Sequence, residues 1–381
     1  MAANRNKNYL YIQMKVVIVV NTSWNIYNFR LGLIQGLQQQ GIEVVAIAPE
    51  DGYSEHIRGQ LMFQPVDMQQ KGINPLKDLR LMVNLYRTYK SLEPDCILHY
   101  TIKPNIYGAI AARLAGIPSI SNVSGLGTVF LHRNIVSRIA INLYRLAFRF
   151  PSKIFFQNND DRILFTQLKL VNSKKTDVLP GSGINLNMYA PKDLPSKGPF
   201  TFLFAARLLY DKGVIEYVKA AEAIRRKYPS TIFQIAGALD NDSKLGVSQM
   251  ELERWIQEGI VEYKGFVHDM RSLMTQCHCV VLPSYREGVP RSLIEAAAVA
   301  RPIIATDVPG CKEITRDGYN GFLCRVKNHA DLASKMEKIL LLNEKDITRL
   351  GANGRALVEN KFNEQIVVEK YLEAIRTAAK K

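Results

Sequence analysis

Short apolar runs alternate with longer amphipathic segments along the first half of the chain. The runs favour buried strands, and apolar residues spaced three or four apart in the intervening segments indicate helices. Glycine or proline closes several of them, as at Gly41, Pro49 and Gly116. We predict strands at 15–20, 43–49, 95–101, 117–124 and 153–158, and helices at 25–41, 75–94 and 105–116. Such alternation is typical of a parallel sheet with helices on both faces.

The pattern stops over residues 179–199, where four prolines and three glycines fall without apolar periodicity. It then resumes, with strand-like runs at 200–208, 231–237, 261–266, 279–284, 302–307 and 321–324 and helices at 214–227 and from 290. We therefore predict an α/β protein of two doubly wound, Rossmann-like domains, with a ligand cleft at the carboxyl ends of their strands. The predicted boundaries are a polar extension at 1–13, a first domain at 14–185, a linker at 186–199, a second domain at 200–362, and an amphipathic helix at 363–381 that crosses back to the first domain.

Length and composition fit this organisation. A chain of 381 residues exceeds what one core usually supports, and 47% apolar with 22% charged residues is ordinary for a globular protein. The five cysteines are scattered and odd in number, which indicates a reducing compartment without a disulfide framework. No segment approaches the roughly 20 apolar residues that span a bilayer, and the N-terminus lacks a signal-peptide pattern. We expect a cytoplasmic protein.

Charge adds a candidate surface. The formal net charge is +15, and no acid occurs between Asp95 and Asp160. Within that stretch, residues 131–150 carry Arg138, Arg145 and Arg149 at helical spacing with apolar residues between them. A basic amphipathic helix indicates an anionic membrane surface as partner, although an ordinary helix with solvated arginines has the same pattern. Nucleic acid is the alternative anionic partner, but no nucleic-acid motif and no aromatic interleaving support it.

Two cations in the stretch FLFAARLLYDKG suggest a phosphate site. Arg207 follows a predicted strand, and Lys212 precedes Gly213 at the start of a predicted helix. Guanidinium and ammonium groups beside free helix N–H groups form a plausible clamp for a diphosphate, and surface ion pairing is the alternative. The first strand-to-helix turn, VVNTSWNIYNFR, lacks the glycine pattern of nicotinamide and flavin sites.

Two glutamates in the stretch PSYREGVPRSLIE flank a predicted helix start. Glu287 precedes Pro290, which suits the first helical position, and Glu295 lies on the helix. Gly288 allows a ligand to approach the backbone, and the amides of residues 291–293 are predicted to be unpaired donors. A nucleoside diphosphate sugar fits this pattern, with Glu295 on the ribose and Glu287 on the sugar. A capping acid plus a helix acid paired with a nearby cation fits equally well.

A resemblance decides between these interpretations. Residues 283–324 resemble the donor-site signature of retaining family-4 glycosyltransferases, which have the GT-B fold, and the similarity extends over about 14–378. AARLLYDKGV resembles the family's diphosphate motif, and KGFVHDM resembles its base-contacting loop. Within the family, the chain resembles most the bacterial enzymes that add a sugar, often an N-acetylhexosamine, to an undecaprenyl-diphosphate-linked saccharide.

The resemblance implies roles for particular residues. Arg207, Lys212 and Glu287 would act on the leaving diphosphate and the donor sugar, without a metal or other cofactor. The donor-binding residues would be Glu295, Gly288, Val289, Arg291, Ser292, Leu293, Phe266, Val267 and Ser284. The donor would be a UDP-sugar and the acceptor a lipid-linked saccharide at the inner face of the cytoplasmic membrane. A GT-B nucleotide-sugar epimerase is the alternative enzyme with this architecture.

The first domain departs from the family pattern. Ser124 stands where many relatives carry a histidine, so no catalytic histidine is available there. We expect His99, Lys103, Ser124 and Gly125 on the acceptor side, with a core position as the alternative for His99. Asp240 and Asp242 match a D-x-D metal motif, but their loop is rich in turn-forming residues, so we predict no metal site. Asp160 and Asp161 indicate a helix start.

Overall fold

Seven strands in the first half of the chain form a parallel sheet in the order β3-β2-β1-β4-β5-β6-β7. The computed structural model describes residues 14–69, 72, 74–126, 135–240 and 245–380, with only the backbone of 135–137. The strands are β1 (Lys15–Val19), β2 (Glu43–Ala48), β3 (Met62–Pro65), β4 (Cys96–Tyr100), β5 (Ser119–Val123), β6 (Lys153–Phe156) and β7 (Thr176–Val178). Most of these strands are apolar on both faces because helices cover both sides of the sheet.

The helices of the first domain form two layers. They are α1 (Ser23–Phe29), α2 (Leu31–Gln39), α3 (Ser54–Arg58), α4 (Pro75–Leu92), a π-helical turn (Pro104–Gly108) that runs into α5 (Ala109–Ala115), α6 (Ile135–Ala147) and α7 (Asn159–Gln167). Helices α4 and α5 pack on the face of β1 that carries Val17 and Val19, and α6 continues this layer beside the π-helical turn. Helices α1 and α2 pack on the opposite face, which carries Val16 and Ile18.

A second parallel sheet, in the order β10-β9-β8-β11-β12-β13, forms the second domain. Its strands are β8 (Thr201–Ala205), β9 (Ile232–Ala236), β10 (Glu262–Tyr263), β11 (Cys279–Leu282), β12 (Ile303–Thr306) and β13 (Gly321–Cys324). Its helices are α8 (Val214–Lys227), α9 (Gln249–Gln257), α10 (Met270–Gln276), α11 (Arg291–Ala298), α12 (Cys311–Ile314), α13 (His329–Leu340) and α14 (Glu344–Lys361). The prediction of two doubly wound domains is confirmed.

The last helix, α15 (Glu364–Ala379), returns to the first domain. Val367, Val368, Tyr371 and Ile375 are buried in the same cluster as the residues of α2. The two helices approach closely at Gly36, where a Cβ atom would lie 2.6 Å from a methyl carbon of Val368. The crossing therefore depends on a small residue in α2.

The predicted helix at 25–41 is two helices, because the chain turns at Arg30. This residue has φ −122° and ψ −12°, and it ends α1 and precedes α2. Its side chain points into the domain, where the guanidinium carbon lies 4.0 Å from the centre of the Tyr100 ring. Apolar periodicity alone does not reveal the break at Arg30, because the periodic pattern continues through both helices. The predicted extension at 1–13 lies outside the described residues.

Candidate functional site

The carboxyl ends of β8 and β11, which are neighbours in the second sheet, bring Lys212 and Glu287 together. Lys212 ends a short 3-10 turn after β8, and Glu287 lies in the loop after β11. Lys212 Nζ is 2.6 Å from Glu287 Oε1, and both side chains are largely shielded from water. Two of the three predicted catalytic residues therefore form one ion pair at the strand ends.

Arg207, the third predicted catalytic residue, follows β8 two residues after its end. Its Nη1 atom lies 3.4 Å from Asp240 Oδ2, and its side chain is 58% exposed. An exposed guanidinium, which is always charged and presents several donors, is accessible to an anionic ligand. Asp240, which is one half of the D-x-D match, pairs with Arg207. Asp242 lies outside the described residues.

Helix α11 begins one residue later than predicted. Pro290 is the N-cap, with φ −70° and ψ 117°, instead of the first helical residue. The prediction that the Leu293 amide is an unpaired donor is wrong, because it donates to the Pro290 carbonyl at 3.2 Å. The Leu293 side chain is also fully buried in the domain core. Arg291 and Ser292 supply the amides at the helix start that are left to face an anion.

Glu295 lies one turn into α11 and accepts two hydrogen bonds on the same oxygen. Arg291 Nε and the Tyr189 hydroxyl both donate to Oε1 at 2.9 Å. Arg291 also donates to Ser182 Oγ at 3.0 Å and to the Gly183 carbonyl at 2.6 Å. Burial, reinforced by the Glu295 carboxylate, raises the pKa of Tyr189, so this phenol stays a donor. The predicted alternative, a helix acid paired with a nearby cation, is thus present as the Glu295–Arg291 pair. Arg291 and Tyr189 together orient the Glu295 carboxylate, whose Oε2 atom has no bond among the described residues.

Four further residues predicted to bind the donor, Phe266, Val267, Val289 and Ser284, differ in their burial. Phe266 is 48% exposed and meets the His268 ring edge-on, while Val267 packs partly against the core. Val289 also packs against that core. Ser284 is fully buried, and its hydroxyl donates to the Asp211 carbonyl at 3.1 Å, so it holds the turn after β11.

The predicted acceptor-side residues separate into two pairs. His99 is fully buried, 3.1 Å from the Tyr89 hydroxyl, and burial lowers its pKa to about 3. Lys103 is 2.6 Å from the buried Asp78. These contacts favour structural roles for both. Ser124 and Gly125 do lie against the donor loop, since a Cβ atom at Gly288 would be 2.1 Å from the Ser124 carbonyl oxygen.

Several first-domain residues that contact the donor loop were missed by sequence reasoning. The loop of residues 286–289 is bonded to Gln157, Asn158 and Asp161, which lie at the end of β6 and the start of α7. The predicted helix start at Asp160 and Asp161 is correct, but it gave no sign of these partners. They are more than 120 positions away along the chain, beyond the reach of any local pattern.

The helix predicted within 131–150 is present as α6 (Ile135–Ala147), and residues 131–134 lie outside the described residues. Arg138, Arg145 and Arg149 are all exposed, and Ile139 and Leu146 are exposed beside them. Among the described residues no helix has the length and apolar character required to cross a bilayer.

Two protein-family models match the chain. Residues 189–357 match the family model described as glycosyl transferases group 1, and residues 15–158 match the one described as glycosyl transferase 4-like. The first match contains the ion pair and α11, and the second contains β1–β6.

Individual proteins are similar over most of the chain. An N,N'-diacetylbacillosaminyl-diphospho-undecaprenol alpha-1,3-N-acetylgalactosaminyltransferase of Campylobacter jejuni is 30% identical, over 94% of this chain and 97% of its own. An Escherichia coli UDP-Gal:alpha-D-GlcNAc-diphosphoundecaprenol alpha-1,3-galactosyltransferase is 25% identical, over 77% of this chain and 78% of its own. Among solved structures, Anabaena HepE in complex with UDP and glucose has a TM-score of 0.79 at 21% identity, covering 96% of this chain and 100% of its own.

Proposed function

This chain belongs to the group 1, family-4 glycosyltransferases of the GT-B fold, and from that premise we propose that it moves a sugar from a UDP-sugar to a polyprenyl-diphosphate-linked saccharide with retention of configuration. The observation that carries the proposal is the Lys212–Glu287 pair, at 2.6 Å, beside the start of α11. It sets a cation and a carboxylate where the diphosphate and sugar of one donor would meet.

The donor lies across the start of α11 in this proposal. Lys212 and Arg207 neutralise the charge that develops on the departing diphosphate, and the amides at the helix start add partial positive charge. Glu295, oriented by Arg291 and Tyr189, accepts the ribose hydroxyls. Phe266, exposed on its loop, flanks the base.

The chemistry needs no covalent intermediate. As the bond between the sugar and the diphosphate lengthens, an acceptor hydroxyl attacks from the same face, and its proton passes to the departing diphosphate oxygen. UDP and the extended glycolipid are the products. Since fixed cations supply the charge stabilisation, we propose that transfer is independent of a metal ion.

The substrates are proposed from the relatives' names. Both named bacterial relatives act on an undecaprenyl-diphosphate-linked saccharide, and the first one transfers N-acetylgalactosamine. We infer an N-acetylhexosamine donor, and an acceptor saccharide that enters beside Ser124 and Gly125. Assembly of a bacterial surface or glycoprotein glycan, at the inner face of the cytoplasmic membrane, follows from such an acceptor.

A surface on the first domain fits this membrane location. Helices α4 and α6 lie in one layer, and the outer side of α4 exposes Leu76 by 81% and Leu79 by 53%. Exposed basic residues accompany them on α4, on α6 and just after α6: Lys77, Arg80, Arg87, Lys90, Arg138, Arg145 and Arg149. The acid of α4, Asp78, is buried and paired with Lys103. Apolar residues set among unopposed cations are suited to an anionic bilayer surface.

The deciding experiment incubates the protein with a panel of UDP-sugars and a polyprenyl-diphosphate-linked saccharide in vesicles. Glycolipid product with the donor's anomeric configuration supports the proposal, while a free sugar-nucleotide epimer supports the epimerase instead. The same reaction is run with excess chelator. If chelation abolishes transfer and Mg²⁺ or Mn²⁺ restores it, metal independence is refuted and Asp240 and Asp242 become candidate ligands.

A further inference from the structure

The loop that carries Glu287 is held by the first domain through a cluster of contacts, here called the interdomain clasp. On the first-domain side it consists of Gln157, Asn158 and Asp161, and on the second-domain side of residues 286–289. Resting on the proposed function, we propose that Asn158, Asp161 and Arg286 are positioning residues that fix Glu287 for the donor sugar, so that the donor site is complete only when the domains are closed.

Backbone contacts form the centre of the clasp. Asn158 Nδ2 donates to the Gly288 carbonyl at 2.9 Å, and it is 3.4 Å from the Glu287 carbonyl. Gln157 Oε1 accepts from the Val289 amide at 3.2 Å. The loop backbone from Glu287 to Val289 is therefore bonded to residues of the first domain.

Charge pairs flank this centre in two different environments. Asp161, which is fully buried, pairs with Arg286, the residue that immediately precedes Glu287. Asp161 also accepts from Asn158 Nδ2 at 3.1 Å, which joins the pair to the backbone contacts. Lys312 and Asp160 are 3.0 Å apart, but both are about 40% exposed. A buried pair depends strongly on each partner, whereas an exposed pair contributes little.

The two domains also pack closely against each other at Gly288. A Cβ atom at Gly288 would be 2.1 Å from the Ser124 carbonyl oxygen and 2.8 Å from Gln157 Oε1. Only glycine allows the two backbones to approach this far. The acceptor-side segment at Ser124 and Gly125 is thereby brought against the loop that holds the donor sugar.

The residues proposed to bind UDP and the clasp residues are different, so UDP binding and sugar transfer should respond differently to loss of the clasp. Glu295, Tyr189 and Phe266, which are assigned to UDP, make no bond to the clasp among the described residues. Arg291, which orients Glu295, does bond to Ser182 and Gly183 of the first domain, but these residues lie outside the clasp. We therefore expect UDP to bind without the clasp, while the position of Glu287 depends on it. Loss of the clasp should therefore lower kcat and leave UDP affinity almost unchanged.

The test compares Arg286→Gln with Lys312→Gln, which breaks the exposed pair as a matched control. Arg286→Gln should lower kcat by about 10- to 100-fold, the scale of a misplaced reacting group, with the Kd for UDP within about twofold of wild type, and Arg286→Lys should restore most of the loss. Lys312→Gln should change kcat by less than about twofold. Adding Asp161→Asn to Arg286→Gln should cost little more, because both changes break one pair.

A wild-type kcat in Arg286→Gln would overturn the assignment of positioning residues. A loss of UDP affinity in Arg286→Gln as large as its loss of kcat would also overturn it. Small-angle X-ray scattering gives a readout that does not depend on activity. The radius of gyration should rise in Arg286→Gln and not in Lys312→Gln, and an unchanged value in Arg286→Gln also overturns the clasp. If the wild type transfers no sugar at all, the proposed function fails, while the scattering still decides whether the clasp holds the domains closed.

Discussion

Lys212 Nζ lies 2.6 Å from Glu287 Oε1, so the cation assigned to the diphosphate is neutralised by the carboxylate assigned to the sugar. Both groups are largely withdrawn from water, and neither can lose its partner without a cost. In the proposed reaction, a bound donor would give each group a new contact, with the diphosphate on Lys212 and sugar hydroxyls on Glu287. The pair would therefore keep both groups in the charge arrangement that the proposed donor uses.

The first prediction concerns this pair. Lys212→Ala should reduce turnover by about 10²–10³, the effect of removing one preorganised stabilising group. Because Glu287 would also lose its partner, the double variant Lys212→Ala/Glu287→Gln should be less impaired than the product of the two single losses. The measurement is kcat at saturating donor and acceptor. Turnover near wild type in Lys212→Ala would contradict the role of this cation.

Glu295 and Glu287 should differ in their effect on nucleotide affinity. Glu295→Gln should weaken UDP and UDP-sugar alike, by about 10-fold or more, since a hydrogen bond to a charged group contributes about 1.5–3 kcal/mol. Glu287→Gln should leave UDP affinity nearly unchanged and lower turnover. Calorimetric titration with UDP measures both. Tyr189→Phe is the control for a change in Glu295 orientation without loss of charge.

An equal loss of UDP affinity in the two variants would show that the carboxylates do not divide the donor between them. Glu287 would then serve mainly to hold its loop, as the alternative interpretation of the sequence proposed.

Membrane binding should have separable electrostatic and apolar parts. Replacing Arg138, Arg145 and Arg149 by Gln should release the protein from phosphatidylglycerol vesicles at low salt, because each cation near such a surface contributes about 1 kcal/mol. Leu76→Ser/Leu79→Ser should weaken binding about 10-fold or more at any salt concentration, since apolar burial is not screened. Met250→Ser, an exposed site on the second domain, is the control. Equal co-sedimentation of all variants with wild type would refute this surface.

Burial of His99 should make stability depend on pH. Its pKa in the folded protein is about 3, below the ordinary value of 6.5, because burial disfavours the charged form. The unfolded chain therefore takes up the proton first as the pH falls, and stability is lost from about pH 6.5 downward. Between pH 7 and pH 5 this one group should cost about 2 kcal/mol of unfolding free energy.

His99→Gln should remove that pH-dependent part, and His56→Gln, at an exposed site, should not. Denaturant titrations at the two pH values measure the difference. An identical pH dependence in wild type and His99→Gln would contradict the buried neutral state.

Sequence reasoning reached the parts of the site that local pattern controls. Lys212 and Glu287 follow apolar runs that had to be parallel strands, so their approach at one sheet edge was foreseeable. The Arg291–Glu295 pair follows from a spacing of four on a helix, and it was foreseen as an alternative to ribose binding. Pro290 was misplaced by one position, because its ring fixes φ but leaves ψ to the surrounding loop.

Contacts between distant segments could not be predicted in the same way. Asp161 and Arg286 are 125 positions apart, and each has an ordinary local explanation, as a helix-start acid and as a loop cation. His99 ends a strand-like run that fits a site residue as well as a core residue, and only the packed Tyr89 decides between them. Such pairings depend on how two complete domains meet.

The return of α15 to the first domain has a consequence for biosynthesis. Val367, Val368, Tyr371 and Ile375 finish a core that β1 and α2 begin at the other end of the chain. At 5–20 residues per second, the ribosome needs on the order of 10–40 s to proceed from the end of the first domain to α15. Throughout that interval the side of α2 that α15 covers should stay exposed, and it would be a surface for chaperones to shield until α15 is made.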